Sequence, residues 1–348
     1  MKFELVIDSK STEVVIALLK EGRLIELHKE KHDNNYSVGD IYLGKIKKIV
    51  PGLNAAFVGV GHEKDGFLHY LDLGNQVNSF KKFTDKTREK KLNTASLKNF
   101  RRDKDTLKEG KIQDVVKSGD HLMVQVSKEP ISSKGPRLST ELSFAGRYMV
   151  MIPFSDRVSI SQKIKSSEEK SRLKKLIHSI KPKGFGVIIR TVAENKKVAE
   201  LDTDMKNLYK KWQIIFKKLK TANLNERIHG EMNRSSVILR DLLNSEFSKI
   251  HVNSPEIHAE LKEYLSRISP DQEKIVKLYK GEIPIFQKMN ITQQIKSSFG
   301  KTASMKSGAY LVIEHTEALH VIDVNSGKKV DSKKNQEANA LAVNKISV

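Results

Sequence analysis

Short β-runs separated by glycine and proline over residues 38–73 constrain the fold more than any other stretch. The segment reads VGDIYLGKIKKIVPGLNAAFVGVGHEKDGFLHYLDL, a pattern that predicts a small β-barrel. Residues 108–129 return to strand-like runs and would close this barrel. We therefore place the barrel at residues 38–128. It is interrupted at residues 81–104 by a basic loop that lacks apolar periodicity.

Barrels of the five-stranded oligonucleotide-binding (OB) type bind single strands on one face, where aromatic rings stack on bases and cations flank them. Phe57 and Phe67 are the candidates for stacking, because the glycines near each of them leave the ring accessible. The alternative is that both side chains belong to the hydrophobic core, as most phenylalanines do. The sequence leaves this choice open.

The rest of the chain mixes strands and helices. Residues 3–31 alternate like paired strands with a hairpin turn at 21–23, and residues 309–327 indicate a second hairpin. Residues 166–180 and 199–220 are helix-like, and the second of these segments contains the only tryptophan, Trp212. With 348 residues, the chain is long enough for two or three domains. The fold class predicted is α+β and multidomain.

Charge favours a polyanionic partner. Lys and Arg number 63 against 42 Asp and Glu, giving a formal charge of +21, which favours nucleic acid ahead of a membrane surface. The alternative is a coding bias that enriches lysine everywhere. The absence of cysteine excludes disulfides and thiolate metal sites. The sequence shows no signal peptide and no apolar run long enough to span a bilayer, so we expect a cytoplasmic protein without membrane contact.

Arg190 and Thr191 stand together at the end of a predicted strand, in the sequence IIRT. Arginine offers a planar fork of donors to phosphate oxygens, and a threonine hydroxyl adds another donor. This pair is therefore a candidate phosphate site. The alternative from the residues alone is an ordinary salt bridge of Arg190 at the surface.

Asp323 and Asn325 lie at positions i and i+2 of the segment HVIDVNSG and would project from the same face of a strand. Val321 and Ile322 are expected to anchor that strand against the core. A carboxylate beside an amide suits Mg²⁺, which prefers hard oxygen ligands. The alternative is a turn, since Asp and Asn before Ser-Gly are common turn formers.

Several segments in order resemble the bacterial ribonuclease E/G family. The barrel segment at residues 38–73 resembles that family's S1-type RNA-binding domain. More specific matches are KGPRLSTELSFAGRYMVMIP, GFGVIIRTVAE, KLYKGEIPIF and IEHTEALHVIDVNSG. The resemblance covers essentially the whole chain. It implies an endoribonuclease that cuts single-stranded RNA with Mg²⁺, prefers 5′-monophosphorylated ends, and acts in RNA processing or decay.

The resemblance assigns residues to three sites. The RNA channel of the barrel takes Phe57, Phe67 and Lys134. The 5′-phosphate sensor takes Gly146, Val150, Arg190 and Thr191. The catalytic site takes Asp323, as a Mg²⁺ ligand, and Asn325, which helps to orient it. One departure is ISQKI, where Gln162 and Lys163 replace frequent arginines, so we expect a retained but weaker preference for the monophosphate.

The resemblance also implies an architecture that sequence patterns alone do not reveal. A ribonuclease H-like subdomain at residues 1–37 and 222–296 is interrupted by the S1/OB β-barrel at 38–128 and by a 5′-sensor domain at 129–221. An incomplete deoxyribonuclease I-like subdomain follows at residues 297–348.

Two elements of the family pattern are absent. The family's second Mg²⁺-binding aspartate follows a helix that residues 335–348 would begin, and Asp331 is too close in sequence to replace it. The family's zinc-binding cysteine pair, which links two protomers, is also missing, so no zinc site is expected and a homo-oligomer is left open. We expect severely impaired cleavage by this chain alone. The alternatives are an RNA-binding remnant or one half of a split nuclease.

Overall fold

A computed structural model describes residues 2–31, 36–107, 109–131, 133–231, 233–243, 246–298, 300–305, 308–316 and 319–326, together with residues 341, 344 and 345. Contacts divide the chain into two compact units, one formed by residues 1–32 and 243–348 and the other by residues 33–242. Asp331 and most of the helix predicted to begin within residues 335–348 lie outside the described residues.

Within the described ranges the strands and helices have the following bounds. The strands are β1 (Phe3–Ser9), β2 (Glu13–Lys20), β3 (Arg23–Lys31), β4 (Ile41–Val50), β5 (Ala55–Gly59), β6 (Gly66–His69), β7 (His121–Lys128), β8 (Arg137–Ser139), β9 (Phe144–Ala145), β10 (Met149–Pro153), β11 (Val158–Ile160), β12 (Phe185–Ile189), β13 (Arg227–His229), β14 (Phe247–Val252), β15 (Val276–Leu278), β16 (Thr302–Ser304), β17 (Tyr310–His315) and β18 (His320–Asn325). The helices are α1 (Val77–Arg88), α2 (Ser167–Ile180), α3 (Val198–Leu219), α4 (Arg234–Leu242), α5 (Pro255–Ile268), α6 (Ile285–Lys288) and α7 (Ile291–Ser298). The chain is therefore a mixed α+β protein, as the sequence predicts.

The first unit contains a sheet with the strand order β15-β14-β1-β2-β3. Strand β1 pairs antiparallel with β2 and parallel with β14, so the sheet joins the N-terminal hairpin to a strand at residues 247–252. The predicted N-terminal hairpin is confirmed: Glu21 and Gly22 both adopt positive φ between β2 and β3. A separate sheet in the order β16-β17-β18 contains the predicted C-terminal hairpin.

The second unit contains the barrel. Strands β4, β5, β6, β8 and β7 follow one another in a sheet, and pairing of β4 with β7 closes it. The interior is filled by alternate side chains, among them Ile46, Val58, Leu68 and Val124, all fully buried. This confirms the predicted closed barrel. Strand β8 lies beyond residue 128, where the sequence placed the end of the barrel.

A sheet in the order β11-β12-β10-β9 lies in the same unit, packed with helices α2 and α3. The large side chains of its core are Phe83, Phe154, Phe185 and Trp212, all fully buried. The Trp212 Nε1–H donates to the carbonyl of Ala95 at 2.8 Å, which satisfies its one donor inside an apolar core. The predicted helices at residues 166–180 and 199–220 are confirmed as α2 and α3.

The prediction of a basic loop over residues 81–104 was wrong for its first third. Residues 77–88 form helix α1, whose Val77, Phe80 and Phe83 are buried. Lys81 and Lys82, between the two phenylalanines, are half-buried and form ion pairs. An apolar side chain every third position is a helical pattern, but the charged residues between Lys81 and Arg88 disguise it. Residues 89–104 contain neither helix nor strand.

The finer division into ribonuclease H-like, sensor and deoxyribonuclease I-like subdomains stays a prediction. Within the described part of the chain, no helix combines the length and apolar character that crossing a bilayer requires.

Candidate functional sites

The two candidate stacking residues face each other on the outer surface of the barrel. Phe57 on β5 and Phe67 on β6 are cross-strand partners, and their ring centroids are 5.9 Å apart at an interplanar angle of 69°. Both side chains are half-buried, whereas their neighbours Ala56, Val58 and Leu68 fill the interior. The rings are therefore outside the barrel core, which removes the core alternative for both.

Two further residues on this surface were not singled out from the sequence. His69 lies two residues after Phe67 on the same face of β6, with ring centroids 6.4 Å apart. Its Nδ1 accepts a hydrogen bond from the Leu71 amide at 3.1 Å, so the proton of the neutral ring is on Nε2. Arg137 is the partner of Phe67 on β8. The i, i+2 spacing from Phe67 could have identified His69.

Lys134 lies near the same strand. It is exposed and pairs with Ile131 in an isolated β-bridge. Two residues further on, the Pro136 carbonyl accepts a hydrogen bond from the Phe67 amide at 2.8 Å. Lys48, which is also exposed, is the partner of Phe57 on β4. Lys48 is therefore a cross-strand neighbour of Phe57, and Lys134 lies two residues before the residue that bonds to the Phe67 amide.

The four sensor candidates converge although they are far apart in the sequence. Arg190 follows β12, and its amide donates to the carbonyl of Tyr148 at 2.9 Å. Its Nη1 donates to the carbonyl of Gly146 at 2.9 Å. Val150 on β10 is half-buried and pairs with Ala145 on one side and Ile188 on the other. Strands β9, β10 and β12 therefore bring these residues into one surface region.

Thr191 completes this group. Its hydroxyl and that of Ser161 are 2.9 Å apart, and either can be the donor. Ser161 precedes the divergent residues Gln162 and Lys163, both of which are exposed. The divergent pair is therefore connected to the sensor candidates through a hydroxyl contact.

Gly146 has a structural reason to be glycine that is independent of any ligand. A Cβ at this position would lie 2.5 Å from Asp204 Oδ2 and 2.7 Å from Oδ1. The same carboxylate accepts hydrogen bonds from the amides of Tyr148 at 2.9 Å and Arg147 at 3.2 Å. Burial raises the pKa of Asp204, although these amides act in the opposite direction. Asp204 on α3 thus fixes the loop that carries Gly146.

The salt bridge considered as the alternative for Arg190 is present in the structure. Arg190 Nη1 donates to Asp241 Oδ1 on α4 at 2.8 Å. Arg240 Nε donates to the same oxygen at 2.9 Å. Burial alone would raise the pKa of Asp241, but the hydrogen bonds and charges of Arg240 and Arg190 hold it below its usual value. Asp241 carries no sequence signal beyond a neighbouring arginine, and the sequence reasoning missed it.

The catalytic candidates lie in a strand and not in a turn. Asp323 and Asn325 belong to β18, and Asn325 Nδ2 donates to Asp323 Oδ2 at 2.9 Å. Asp323 is exposed. The expectation that Val321 and Ile322 anchor the strand was wrong: they are 48% and 56% exposed. Strand β18 is at the edge of a three-stranded sheet within the described residues, and an edge strand has few neighbours to cover it.

The donor set around Asp323 fits one part of a Mg²⁺ site. A carboxylate with an adjacent amide offers hard oxygen ligands, and Mg²⁺ usually retains several waters. The register pairs Glu314 with Val321 and Val312 with Asp323, so Glu314 is a diagonal neighbour that adds negative charge to this face. Among the described residues, no group of three or more His, Cys, Asp or Glu could hold a metal. Asp323 therefore fits as a single protein ligand.

A closed five-stranded barrel with aromatic rings on its outer face is consistent with the oligonucleotide-binding class of β-barrels. Comparison with known families narrows the class. Residues 143–348 match the model of the Ribonuclease E/G family. The match covers more than half of the chain, and the chain belongs to this family.

Curated relatives agree with this assignment. Ribonuclease G of Haemophilus influenzae is 33% identical over 334 residues, which are 96% of this chain and 64% of the relative. Ribonuclease G of Escherichia coli K12 is 32% identical over 327 residues, 94% of this chain and 63% of the relative. Ribonuclease E of Haemophilus influenzae is 33% identical over 94% of this chain, but over 33% of its own length. The chain thus spans slightly less than two thirds of the Ribonuclease G relatives.

Proposed function

We propose that this chain takes part in endonucleolytic cleavage of single-stranded RNA, with preference for 5′-monophosphorylated ends, in RNA processing or decay in the cytoplasm. The observation that carries the proposal is the half-buried Phe57–Phe67 pair on the outer face of a closed barrel, in a chain of the Ribonuclease E/G family. The names of the relatives support RNA as the substrate. A formal charge of +21 is complementary to a polyanion.

The barrel surface would bind RNA without strong sequence preference. Bases stack on the rings of Phe57 and Phe67, while Lys134 pairs with the phosphate backbone. Stacking contributes about 1–3 kcal/mol per base and tolerates every base, because each base has a π-face. Such binding would hold a single strand but not a duplex, whose bases are already stacked.

The terminal phosphate would bind at Arg190 and Thr191. A guanidinium donates two parallel hydrogen bonds to phosphate oxygens, and Gly146 and Val150 would line the place of the terminal nucleotide. Loss of the phosphate in a 5′-hydroxyl RNA removes the charge that Arg190 recognises. The preference between the two ends is therefore assigned to this residue.

The catalytic step is assigned to the β18 face. Asp323 would hold a Mg²⁺ ion, with Asn325 fixing the orientation of the carboxylate through its hydrogen bond to Oδ2. Bound there, Mg²⁺ would polarise the scissile phosphate and lower the pKa of the attacking water.

A second candidate function is RNA binding with little or no cleavage, either as a remnant or as one half of a split nuclease. It is favoured by the absence of a three-residue metal group in the part of the chain that the structure describes. Mg²⁺ is usually held by one or two carboxylates together with substrate phosphates, and Asp323 supplies one of them. We expect cleavage by this chain alone to be severely impaired.

The test compares Mg²⁺-dependent cleavage of one RNA oligonucleotide with a 5′-monophosphate or a 5′-hydroxyl end. Asp323→Asn should abolish any cleavage and leave RNA affinity unchanged. Asp202→Asn is the matched control, since Asp202 pairs with Lys206 on α3. Cleavage that survives Asp323→Asn would remove this residue from the role. Robust cleavage by the wild type would contradict the expected impairment.

The sensor is tested by binding in the presence of a chelator, so that cleavage cannot interfere. Arg190→Ala should make the affinities for the two RNA ends equal while affinity for the 5′-hydroxyl RNA stays the same. Arg157→Ala removes an equal charge from an exposed position before β11 and should keep the preference. An undiminished preference in Arg190→Ala would refute the assignment.

A further inference from the structure

The carboxylate of Asp241 lies between two guanidinium groups. Its Oδ1 accepts from Arg190 Nη1 at 2.8 Å and from Arg240 Nε at 2.9 Å. The side chain of Arg240 is 9% exposed, that of Arg190 is 25% exposed and that of Asp241 is 35% exposed. Arg240 is thus the internal partner of the carboxylate, and Arg190 is the partner nearer to solvent.

Helix α4 determines where this carboxylate lies. Asn233 precedes the helix, and its Oδ1 accepts a hydrogen bond from the Ser236 amide at 2.9 Å, a capping interaction that fixes the first turn. Arg240 and Asp241 lie near the other end of the nine-residue helix. Asp241 therefore reaches Arg190 from a rigid element that is 51 residues away in sequence.

The hydrogen bonds of the Arg190 side chain within the described residues all come from one atom. Nη1 donates both to the Gly146 carbonyl at 2.9 Å and to Asp241. Nε and Nη2 make no such bond, and neither of these two atoms is a buried donor without a partner. The Nε–Nη2 edge is consequently accessible, and two parallel donors along one edge are the geometry that binds two phosphate oxygens.

A terminal phosphate remains an attractive partner for Arg190 even beside the carboxylate of Asp241. Arg240 makes two contacts with Asp241, Nε to Oδ1 at 2.9 Å and Nη2 to Oδ2 at 3.5 Å. Its Nη1 also donates to Glu231 Oε1 at 3.4 Å, so its charge is shared between two carboxylates and offsets part of that of Asp241. Arg240 also approaches the Ala145 carbonyl at 3.4 Å. The two arginines thus hold consecutive carbonyls, those of Ala145 and Gly146, in the loop expected to meet the RNA end.

We infer that Asp241 is the positioning residue of the 5′-phosphate sensor: it holds Nη1 of Arg190 inward, so that the Nε–Nη2 edge faces the terminal phosphate. Arg240 holds Asp241 in place and offsets part of its charge. The inference rests on the proposed sensor function of Arg190. The opposite role would be that of a competing anion, which RNA displaces from Arg190. In that case Asp241→Asn would raise the preference for the 5′-monophosphate instead of lowering it.

The experiment measures the ratio of the dissociation constants for 5′-hydroxyl and 5′-monophosphate RNA of one sequence, with a chelator present. Asp241→Asn keeps the size of the side chain and removes its charge. We expect the ratio to fall about tenfold, the size expected when one charge-assisted hydrogen bond weakens, with unchanged affinity for the 5′-hydroxyl RNA. That unchanged affinity separates positioning from unfolding. Asp202→Asn is the control and should keep the ratio.

A double-mutant cycle shows whether Asp241 acts through Arg190. In an Arg190→Ala background, Asp241→Asn should change the ratio no further. An additional loss there, an unchanged ratio in the single variant, or tighter binding of the monophosphate would each overturn the inference while leaving the sensor intact. An undiminished ratio in Arg190→Ala would instead overturn the proposed function, and the inference with it.

A second variant covers the case in which Asp241→Asn fails to fold. Asp241→Glu retains the carboxylate but displaces it by one methylene, so Arg190 keeps its partner in an altered position. The ratio should fall by about threefold with the 5′-hydroxyl affinity unchanged, as expected of a partly misplaced donor. If Asp241→Asn is unfolded and Asp241→Glu keeps the wild-type ratio of dissociation constants, the positioning role of Asp241 is overturned.

Discussion

Substitution of Gly146 by alanine tests how firmly the loop of the proposed sensor is held. The new Cβ would lie 2.5 Å from Asp204 Oδ2, where an ordinary contact begins at 3.4 Å. The difference, 3.4 minus 2.5, means that one of the two groups must move by about 0.9 Å. Asp204 cannot move freely, because the amides of Tyr148 and Arg147 donate to it at 2.9 and 3.2 Å.

The cost follows from these contacts. Forcing an extra methyl group into a packed site costs about 1–3 kcal/mol, and hydrogen bonds to a charged group contribute about 1.5–3 kcal/mol each when they are lost. Replacing glycine reduces the entropy of the unfolded chain, which offsets about 0.4–1 kcal/mol. If Asp204 keeps part of both bonds, Gly146→Ala should lower the free energy of unfolding by about 2 kcal/mol.

Urea unfolding monitored by circular dichroism measures this change. Gly52→Ala is the matched control, since nothing lies within 4 Å of a Cβ built at Gly52, and it should leave the free energy of unfolding unchanged or raise it by up to about 1 kcal/mol. In an Asp204→Ala background the clash disappears, so Gly146→Ala should add little. Equal stability of Gly146→Ala and wild type would refute the packing argument and leave a ligand as the reason for glycine.

Three further expectations concern the barrel, the core and pH. The double variant Phe57→Ala/Phe67→Ala should weaken RNA binding by at least about tenfold in a fluorescence-anisotropy titration. The control Leu71→Ala, which changes a side chain that is 72% exposed, should not weaken it. Unchanged RNA affinity in the double variant would show that the two rings do not bind RNA. Trp212→Ala should cost about 3–5 kcal/mol of stability in urea unfolding, because the fully buried ring leaves a cavity, and a smaller loss would show that the core collapses around it. The pKa of Asp241 is lowered in the folded state, so its contribution to stability is fully present above the unfolded pKa of about 3.9 and is lost as the pH falls through the folded pKa. Between about pH 6 and pH 3, the free energy of unfolding should therefore fall less steeply in Asp241→Asn than in the wild type. Parallel curves of the free energy of unfolding against pH would contradict the assignment.

The strands and hairpins could be predicted because their signals are local. Glycine and proline residues mark the breaks between the barrel strands, and the three residues 21–23 are enough to predict the turn at Glu21–Gly22. Helix α1 was missed because lysines stand between Phe80 and Phe83 and obscure the spacing of the buried positions. Local composition and helical periodicity disagreed there, and packing against the core of the unit decided the outcome.

The candidate site was only partly predictable. Arg190 and Gly146 were selected from the sequence, and the structure places a guanidinium nitrogen of the first 2.9 Å from the carbonyl of the second. Asp204 and Asp241 were not selected, because an acidic residue on a helix resembles every other solvated charge until its neighbours are known. Their roles come from hydrogen bonds that span 56 and 51 residues.

By itself the sequence determined the family, the barrel, the confirmed helices and hairpins, and which side chains carry suitable chemistry, because turn residues and apolar periodicity act over a few positions. Only the tertiary structure decided that Phe57 and Phe67 face outward, that Val321 and Ile322 are exposed, and that Asp241 reaches Arg190. Exposure and charge pairing depend on which elements pack together. The free energy of such packing is shared among distant residues, and no short segment encodes it.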